Sequence, residues 1–353
     1  MVGNPSIIQN ADARILQPRQ FRDTVARQII HGVMNAAVLH NFGQPPRFES
    51  IPDPVPNEDE VLVHVTAAAL NPSTRLLASG AHYASPQHLP VTCGVEGVGR
   101  LDDGSRVFFG VRRAPNGSMC QRTVVPRSFC WPVPDGVDDV VAAALPNPGL
   151  SSWLPLITTA RLSPGESVLV LGATGVAGQL AIQIAKHLGA ARVVAAGRNE
   201  ETLKGLYRLG ADSMIRLEAA EGDLSEAFAR ESGVGGLNIV LDYLWGRPTE
   251  ALLTAMTRKG FPSARSGTRV VQIGDSAGPV ISLPAAALRS AAVTIVGSGV
   301  MPSLNILSEA FQQLMNLAAR GQLRIDVEPV PLADIEHAWT RGDLHGRRLI
   351  MIP

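Results

Sequence analysis

From Met34 to about Val125 the apolar positions fall in short runs, AAVLH, EVLVHVTAAAL, GVEGVGRL, SRVFFGV and CQRTVV, parted by Pro45-Pro46, Pro52, Pro54, Pro56, Pro86, Pro90 and Pro115. Many short strands between turn signals predict a barrel or a sandwich. The pattern changes near Val140, where strands and helices alternate. SVLVL (167–171) reads as a strand. Ala177, Leu180, Ile184 and Leu188 then share one helical face, and Gly189 stops that helix. RVVAA (192–196), a helix capped by Asn199, SMIRL, a polar helix near 223–231, NIVLDYL, a helix near 249–258, RVVQIG and AAVTIVGS continue the alternation. Strand–helix alternation predicts an α/β unit whose parallel sheet is joined by right-handed crossovers. A last helix is expected near 304–319, and the tail from Val327 ends in an apolar strand that should return to the first unit.

With 353 residues the chain is too long for one ordinary core, so two domains are expected. Hydrophobic residues make up 45% and charged residues 18%, which argues against disorder. Thirty-one basic residues balance thirty-one acidic ones. The chain therefore has no global field for nucleic acid or anionic lipid, and neither partner is expected. Three cysteines, Cys93, Cys120 and Cys130, suit a reducing compartment better than a disulfide framework, and the expected location is the cytoplasm. No run approaches the ~20 apolar residues of a membrane span. Residues 1–32 carry Arg14, Arg19, Arg22 and Arg27 against Asp12 and Asp23. They read as an extension or a mis-assigned start ahead of Met34, or alternatively as an Arg-rich transit peptide.

The sharpest motif is VLVLGATGVAGQLAIQIAKHLGA, an A-x-G-x-x-G turn formed by Ala173, Thr174, Gly175, Val176 and Gly178, with Gly172 before it. A strand precedes it and an amphipathic helix follows, which is the context a dinucleotide site requires. Gly175 lets backbone approach a diphosphate, Gly178 lets helix and strand pack closely, and the helix N-terminus offers unpaired N–H groups. A tight turn in another α/β fold is the competing reading. NAD enzymes place an acid about 20 residues beyond the glycines to bind the ribose 2′-hydroxyl. Here that place holds Gly197 and then Arg198. A guanidinium pairs with a 2′-phosphate, so NADPH is the expected cofactor. The alternative leaves Arg198 in solvent, with Glu200 or Glu201 on the ribose.

These motifs, together with MNAAVLHNFG, ALNPSTRLLASGAHY, LPVTCGVEGVGRL, GSMCQRTVV, AAALPNPGLSSW and GRRLIMI, resemble the medium-chain dehydrogenase/reductase superfamily in its quinone oxidoreductase and enoyl reductase branch. The resemblance runs from Met34 to the C-terminus. It implies a GroES-like β-barrel domain over 33–139 completed by 301–353, and a Rossmann-type doubly wound parallel sheet over 140–300. An active site is then expected in the cleft between them, with a homodimer paired through AAVTIVGS. The family's zinc branch would place a cysteine near Asn71-Pro72-Ser73 and a histidine at Val95, and neither is present. Glu96 alone cannot supply the about three protein ligands of a catalytic zinc. His82 and His88 read as loop residues, so no metal is expected.

Without zinc a carbonyl must be polarised by hydrogen bonds, which favours quinones and conjugated enones. Tyr83 lies where some zinc-independent enoyl reductases carry a catalytic tyrosine, and Asn71 lies in a motif that lines the nicotinamide side in relatives. An amphipathic loop residue and a pre-proline turn residue are the plainer readings of these two. The resemblance also brings Gly274 near the nicotinamide, Arg347 near the phosphates, and Ser151, Ser152 and Trp153 to the cleft border. Asp242 touches the ribose or holds its loop, while Tyr243 and Trp245 wall the pocket or pack the core. The expected function is NADPH-dependent reduction of a small-molecule quinone or α,β-unsaturated carbonyl. Two other readings stand: an enoyl-thioester reductase using Arg112-Arg113 for a carrier phosphate, and a non-catalytic NADPH-binding sensor or structural protein.

Overall fold

The computed structural model describes residues 32–353 apart from positions 112, 234, 262, 263, 265, 300, 301 and 343. The expected N-terminal extension therefore lies outside the described residues except for Gly32, as does Arg112.

A six-stranded parallel sheet runs, in spatial order, Ser213–Arg216, Arg192–Gly197, Ser167–Leu171, Ile239–Asp242, Thr268–Gln272 and Val293–Gly297. In sequence numbering of the sheet this is 3-2-1-4-5-6, the doubly wound order whose switch point lies between the first and fourth strands. The strands are apolar through and through because helices cover both faces. Leu169, Val194 and Val240 face one layer, while Val168, Val193 and Ile239 face the other. The helix Val176–His187 forms as its pattern predicts, with Leu180, Ala181, Ile184 and Ala185 buried. Lys186 and His187 in its last turn suit the negative end of the helix dipole.

The other sheet has seven strands and is almost wholly antiparallel. Its long strand, Glu60–Leu70, pairs with Glu96–Arg100, Arg122–Pro126 and the C-terminal Arg348–Ile352. The register slips between Val65 and Ala67. Across that slip a Cβ at Gly99 would lie 2.3 Å from the His64 carbonyl oxygen, and one at Gly97 2.7 Å from that of Ala67. Bulge and glycines together let the sheet curl around its core. A three-stranded sheet, Arg47–Pro52, Val33–Leu39 and Val91–Thr92, closes that core. The fold class is the one the sequence implied.

Short elements escape the pattern analysis. The helix Pro72–Ala78 forms where the proline after Asn71 suggested a turn, because proline at the first helical turn loses no hydrogen bond. Asp139–Ala144, capped by Asp138, and the proline-led Pro146–Leu154 follow the barrel strands. The segment expected as one helix after Asn199 is an α-helix, Glu200–Gly205, followed by a 3-10 turn, Leu206–Leu209. The strand Val293–Gly297 is an open edge, with Val296 exposed. No helix among the described residues is long and apolar enough to cross a membrane.

The closest joint in the parallel half is between Gly178 and the strand-end turn. A Cβ there would stand 2.3 Å from the Gly172 carbonyl oxygen and 2.6 Å from the Ala173 Cα. Gly178→Ala is therefore expected to push the helix off the sheet and cost about 1–3 kcal/mol of stability, read as a lower midpoint in chemical denaturation.

Candidate active site

Two cavities open between the sheets and adjoin. The first, of about 550 Å³, is bounded by the glycine turn Gly172–Gly178, the end of the second parallel strand, and the C-terminal loop before Arg348. The turn begins at Gly172, whose φ of +92° favours glycine, with its N–H on the Ala196 carbonyl. Gly175 caps the helix without a capping side chain, so the first helical N–H groups stay available to the cleft. A Cβ at Gly175 would meet only the Gly172 oxygen, at 3.5 Å, so this glycine borders open space. From the far side Gly346, at φ +86°, presses on the turn, and a Cβ there would strike Gln179 and the Thr174 carbonyl.

Arg198 stands exposed at the end of its strand, lines this cleft, and makes no ion pair among the described residues. Glu200 is turned away: its carboxylate pairs with Lys204 at 2.8 Å and Arg216 at 3.2 Å. Those two cations hold its pKa below the usual carboxylate range.

The second cavity, of about 690 Å³, has an aromatic wall of Phe108, Phe129, Trp131 and Phe311. Their ring centroids lie 5.2–6.1 Å apart, as packed aromatic clusters do. The cavities meet at Ile273-Gly274 and across two polar pairs. On one side the Tyr243 hydroxyl lies 3.4 Å from Ser151 Oγ. On the other, Asn71 Nδ2 donates to Glu96 Oε1 at 2.9 Å.

Asn71 is fixed by its own role in the fold. Its Oδ1 caps the helix Pro72–Ala78, accepting from Thr74 N at 2.8 Å and Thr74 Oγ1 at 2.9 Å. Burial pushes the Glu96 carboxyl up to about 7, against the opposing pull of Arg348 and the Asn71 amide. Arg348 is buried as well, and desolvation pushes it down to about 10, with Glu96 resisting and Arg75 adding to the fall. Among the described residues its Nε has no hydrogen-bond partner, and its side chain lines the first cleft. Burial pushes Tyr243 up to about 12, so at neutral pH it is a neutral hydroxyl. Among the described residues no three His, Cys, Asp or Glu side chains converge. Glu96 faces an amide and a guanidinium, not further donors for a metal.

Comparison with known proteins adds the family. Residues 176–320 match the family described as zinc-binding dehydrogenase. A probable NADPH-dependent quinone reductase of Emericella nidulans, tdiC, is 26% identical over 91% of this chain and 100% of its own length. Quinone oxidoreductase-like protein 2 of Bos taurus is 30% identical over 74% of each chain. The quinone oxidoreductase of Thermus thermophilus, solved also in complex with NADPH, superposes with a TM-score of 0.75, covering 91% of this chain and 100% of that one at 29% identity.

The chain belongs to the medium-chain dehydrogenase/reductase superfamily, in its quinone oxidoreductase branch.

Of the residues that sequence reasoning singled out in this oxidoreductase-family chain, Asn71, Thr174, Gly175, Val176, Gly178, Gly197, Arg198, Gly274 and Arg347 all line the first cleft. Ala173 does not, being fully buried beneath the turn. Gly197 and Gly274 also serve packing: a Cβ would reach Thr174 Cγ2 at 2.5 Å and the Tyr243 carbonyl at 2.8 Å. Arg347 is half exposed and already paired with Glu328 at 3.0 Å.

Tyr83 and Asp242 stand apart from the cleft lining, Asp242 in the second of its two expected roles, holding its loop. Tyr83 is 96% exposed at the rim of the aromatic cavity, beside His82, and does not point a buried hydroxyl into it. Asp242 is fully buried and does not border the cleft. Its Oδ1 accepts from Leu244 N at 2.9 Å and Trp245 N at 2.8 Å, and its Oδ2 from Thr249 Oγ1 at 2.5 Å. It holds a turn in which Trp245 takes φ +56°, a left-handed conformation costly for a bulky residue. That turn sets Tyr243 and Leu244 in the cleft wall. Of the cleft-border residues, Ser151 reaches the cavity, whereas Ser152 and Trp153 turn inward.

Sequence reasoning missed Arg348, Arg75 and the role of Glu96. The residue pattern around Glu96 identified a lost metal position, and an apolar strand gave no reason to expect a buried guanidinium at its first residue.

Asp242→Ala would strip three hydrogen bonds from a buried, strained turn. We expect a loss of about 2–4 kcal/mol in stability, together with weaker dinucleotide binding by calorimetry.

Proposed function

We propose that this chain is an NADP(H)-dependent, zinc-independent reductase of quinones and other flat conjugated carbonyl compounds. The observation that carries the reading is the adjacency of the two cavities: a glycine-turn cleft with an unpaired guanidinium at its end opens directly onto an aromatic-walled chamber. The cleft suits a dinucleotide on structural grounds. Helix N–H groups without a side-chain cap border open space at Gly175, and Arg348 brings a buried cation with an unpartnered Nε to the same cleft. In this reading the turn Ala173–Gly178 grips the diphosphate, and Arg198, with Asn199 and Thr202 beside it, receives the 2′-phosphate. The engagement of Glu200 with Lys204 and Arg216 leaves that carboxylate poorly placed to select a 2′-hydroxyl. Tyr243 and Gly274 flank the reactive ring.

NADPH, when bound, supplies the hydride. The chain's own residues orient the acceptor, exclude water and manage the proton. Phe108, Trp131 and Phe311 offer faces against which a planar ring stacks. Asn71, Ser151 and Glu96 are among the few polar groups at the junction. No metal is invoked, because Glu96 is the one carboxylate among the described residues lining the aromatic cavity and an arginine stands opposite it. The open edge strand Val293–Gly297, which would otherwise be a liability, is proposed to pair two copies of the chain.

The enoyl-thioester alternative finds less support. Tyr83 is almost wholly exposed, and Arg113, the described half of the basic pair, is held by Glu60 through two 2.8 Å hydrogen bonds. A binding-only role would leave the aromatic chamber beside the cleft without a purpose.

Absorbance at 340 nm is expected to fall when NADPH and a quinone panel are supplied, and no oxidation with any acceptor would overturn the assignment. Arg198→Ala should raise the KM for NADPH about 10–100-fold, the worth of one hydrogen bond to a charged group, and leave that for NADH unchanged. Tyr83→Phe should keep kcat within about threefold, whereas an enoyl reductase using it as an acid would lose ~10²-fold.

A further inference from the structure

We propose that Glu96 is the proton donor of this site, giving its carboxyl proton to the anion that hydride addition leaves on the acceptor. The proposal rests on the reductase reading above and names the residue that completes it.

Three observations converge on this side chain. Glu96 is the sole acid among the described residues lining the aromatic cavity, which otherwise presents aromatic, aliphatic, amide and hydroxyl groups. It is almost fully buried, yet it borders the cavity at the junction with the cleft that Asn71 lines. Its hydrogen bond fixes which oxygen carries the proton. Asn71 Oδ1 accepts two hydrogen bonds from Thr74, so the amide is oriented with Nδ2 toward Glu96. Oε1 is therefore an acceptor, and the proton of the neutral acid sits on Oε2. Among the described residues Oε2 has no hydrogen-bond partner.

The electrostatics match the task. A proton donor works best when its pKa lies near the working pH, and burial lifts this carboxyl to about 7. The charged groups placed against it are Arg348 on the C-terminal strand and, behind that, Arg75 on the helix after Asn71. Among the described residues lining the cavity, neutral groups face it from the opposite wall, Asn147 and Ser151 among them. Once the proton has left, Arg348 compensates the new carboxylate.

The balance is simple. A quinone accepts a hydride, two electrons with one proton, and becomes a hydroquinone monoanion. The Oε2–H bond of Glu96 breaks, its electron pair stays on the carboxylate, and the proton forms the second O–H bond of the hydroquinone. With an enone the same proton goes to the enolate. Water then restores the acid.

The test combines turnover and direct titration, using the full chain. The wild-type rate with a quinone should fall about tenfold per pH unit above about 7, following the acid. Glu96→Gln keeps the Asn71 contact, and it should be ~10²-fold or more slower with a flat profile. Glu96→Asp should keep the inflection at a reduced rate. Independently of turnover, infrared difference titration of the ligand-free chain should show a protonated carboxyl band lost near pH 7 in the wild type and absent from Glu96→Gln. Equal rates and identical pH profiles for wild type and Glu96→Gln would overturn the proposal. So would a carboxyl that titrates in the ordinary range about 4. A wild-type chain that oxidises NADPH with no acceptor would instead sink the reductase reading, and the donor role with it.

Discussion

Everything in the parallel half is hung on a contact that only hydrogen atoms can make: Gly178 lying directly against the carbonyl of Gly172. The approach draws the helix Val176–His187 onto the first strand and leaves Gly175 facing open space. The same approach brings the C-terminal loop close enough for Gly346 to lean on the turn from outside. Helix terminus, strand end and returning tail thus converge on one small volume. Widening that contact by a methyl group would displace all three together.

A second constraint is electrostatic. Protein interiors rarely hold unpaired charge, because desolvation outweighs what isolated ions recover. This fold nonetheless keeps an acid and two arginines where its two halves meet, and among the described residues only an amide makes a direct hydrogen bond to the acid. The burial that makes an ionised Glu96 costly is the same burial that moves its titration toward neutrality. Tyr243 and Asp242 show the contrasting outcomes. The first stays neutral and shapes a wall; the second commits both carboxylate oxygens to holding a strained turn.

How much of this was legible follows from what kind of signal each residue gives. The long elements were readable because apolar period and capping chemistry act locally: SVLVL, the helix after Gly175 and the amphipathic run Leu304–Ala319 all form where the pattern places them. The glycine turn was readable for the same reason. The short proline-led helix Pro72–Ala78 was not, since its proline read equally as a turn. The exposure of Tyr83, and the choice between ribose and loop for Asp242, were not legible because sequence gives a residue's neighbourhood along the chain but not its exposure or its competing partners. Arg348 and Glu96 lie far apart in sequence and meet only when the last strand pairs with Glu60–Leu70, so nothing local announces them.

That last pairing has a consequence for how the molecule comes into being. The glycine turn is translated long before the segment that supplies Gly346, Arg347 and Arg348 to the same cleft. A chain in which Arg348 has not yet been added lacks one wall of its cleft and the cation opposite its buried acid. Ligand binding therefore depends on the strand Arg348–Ile352 having paired with Glu60–Leu70, and a chain lacking that strand would lose sheet closure and one cleft wall together.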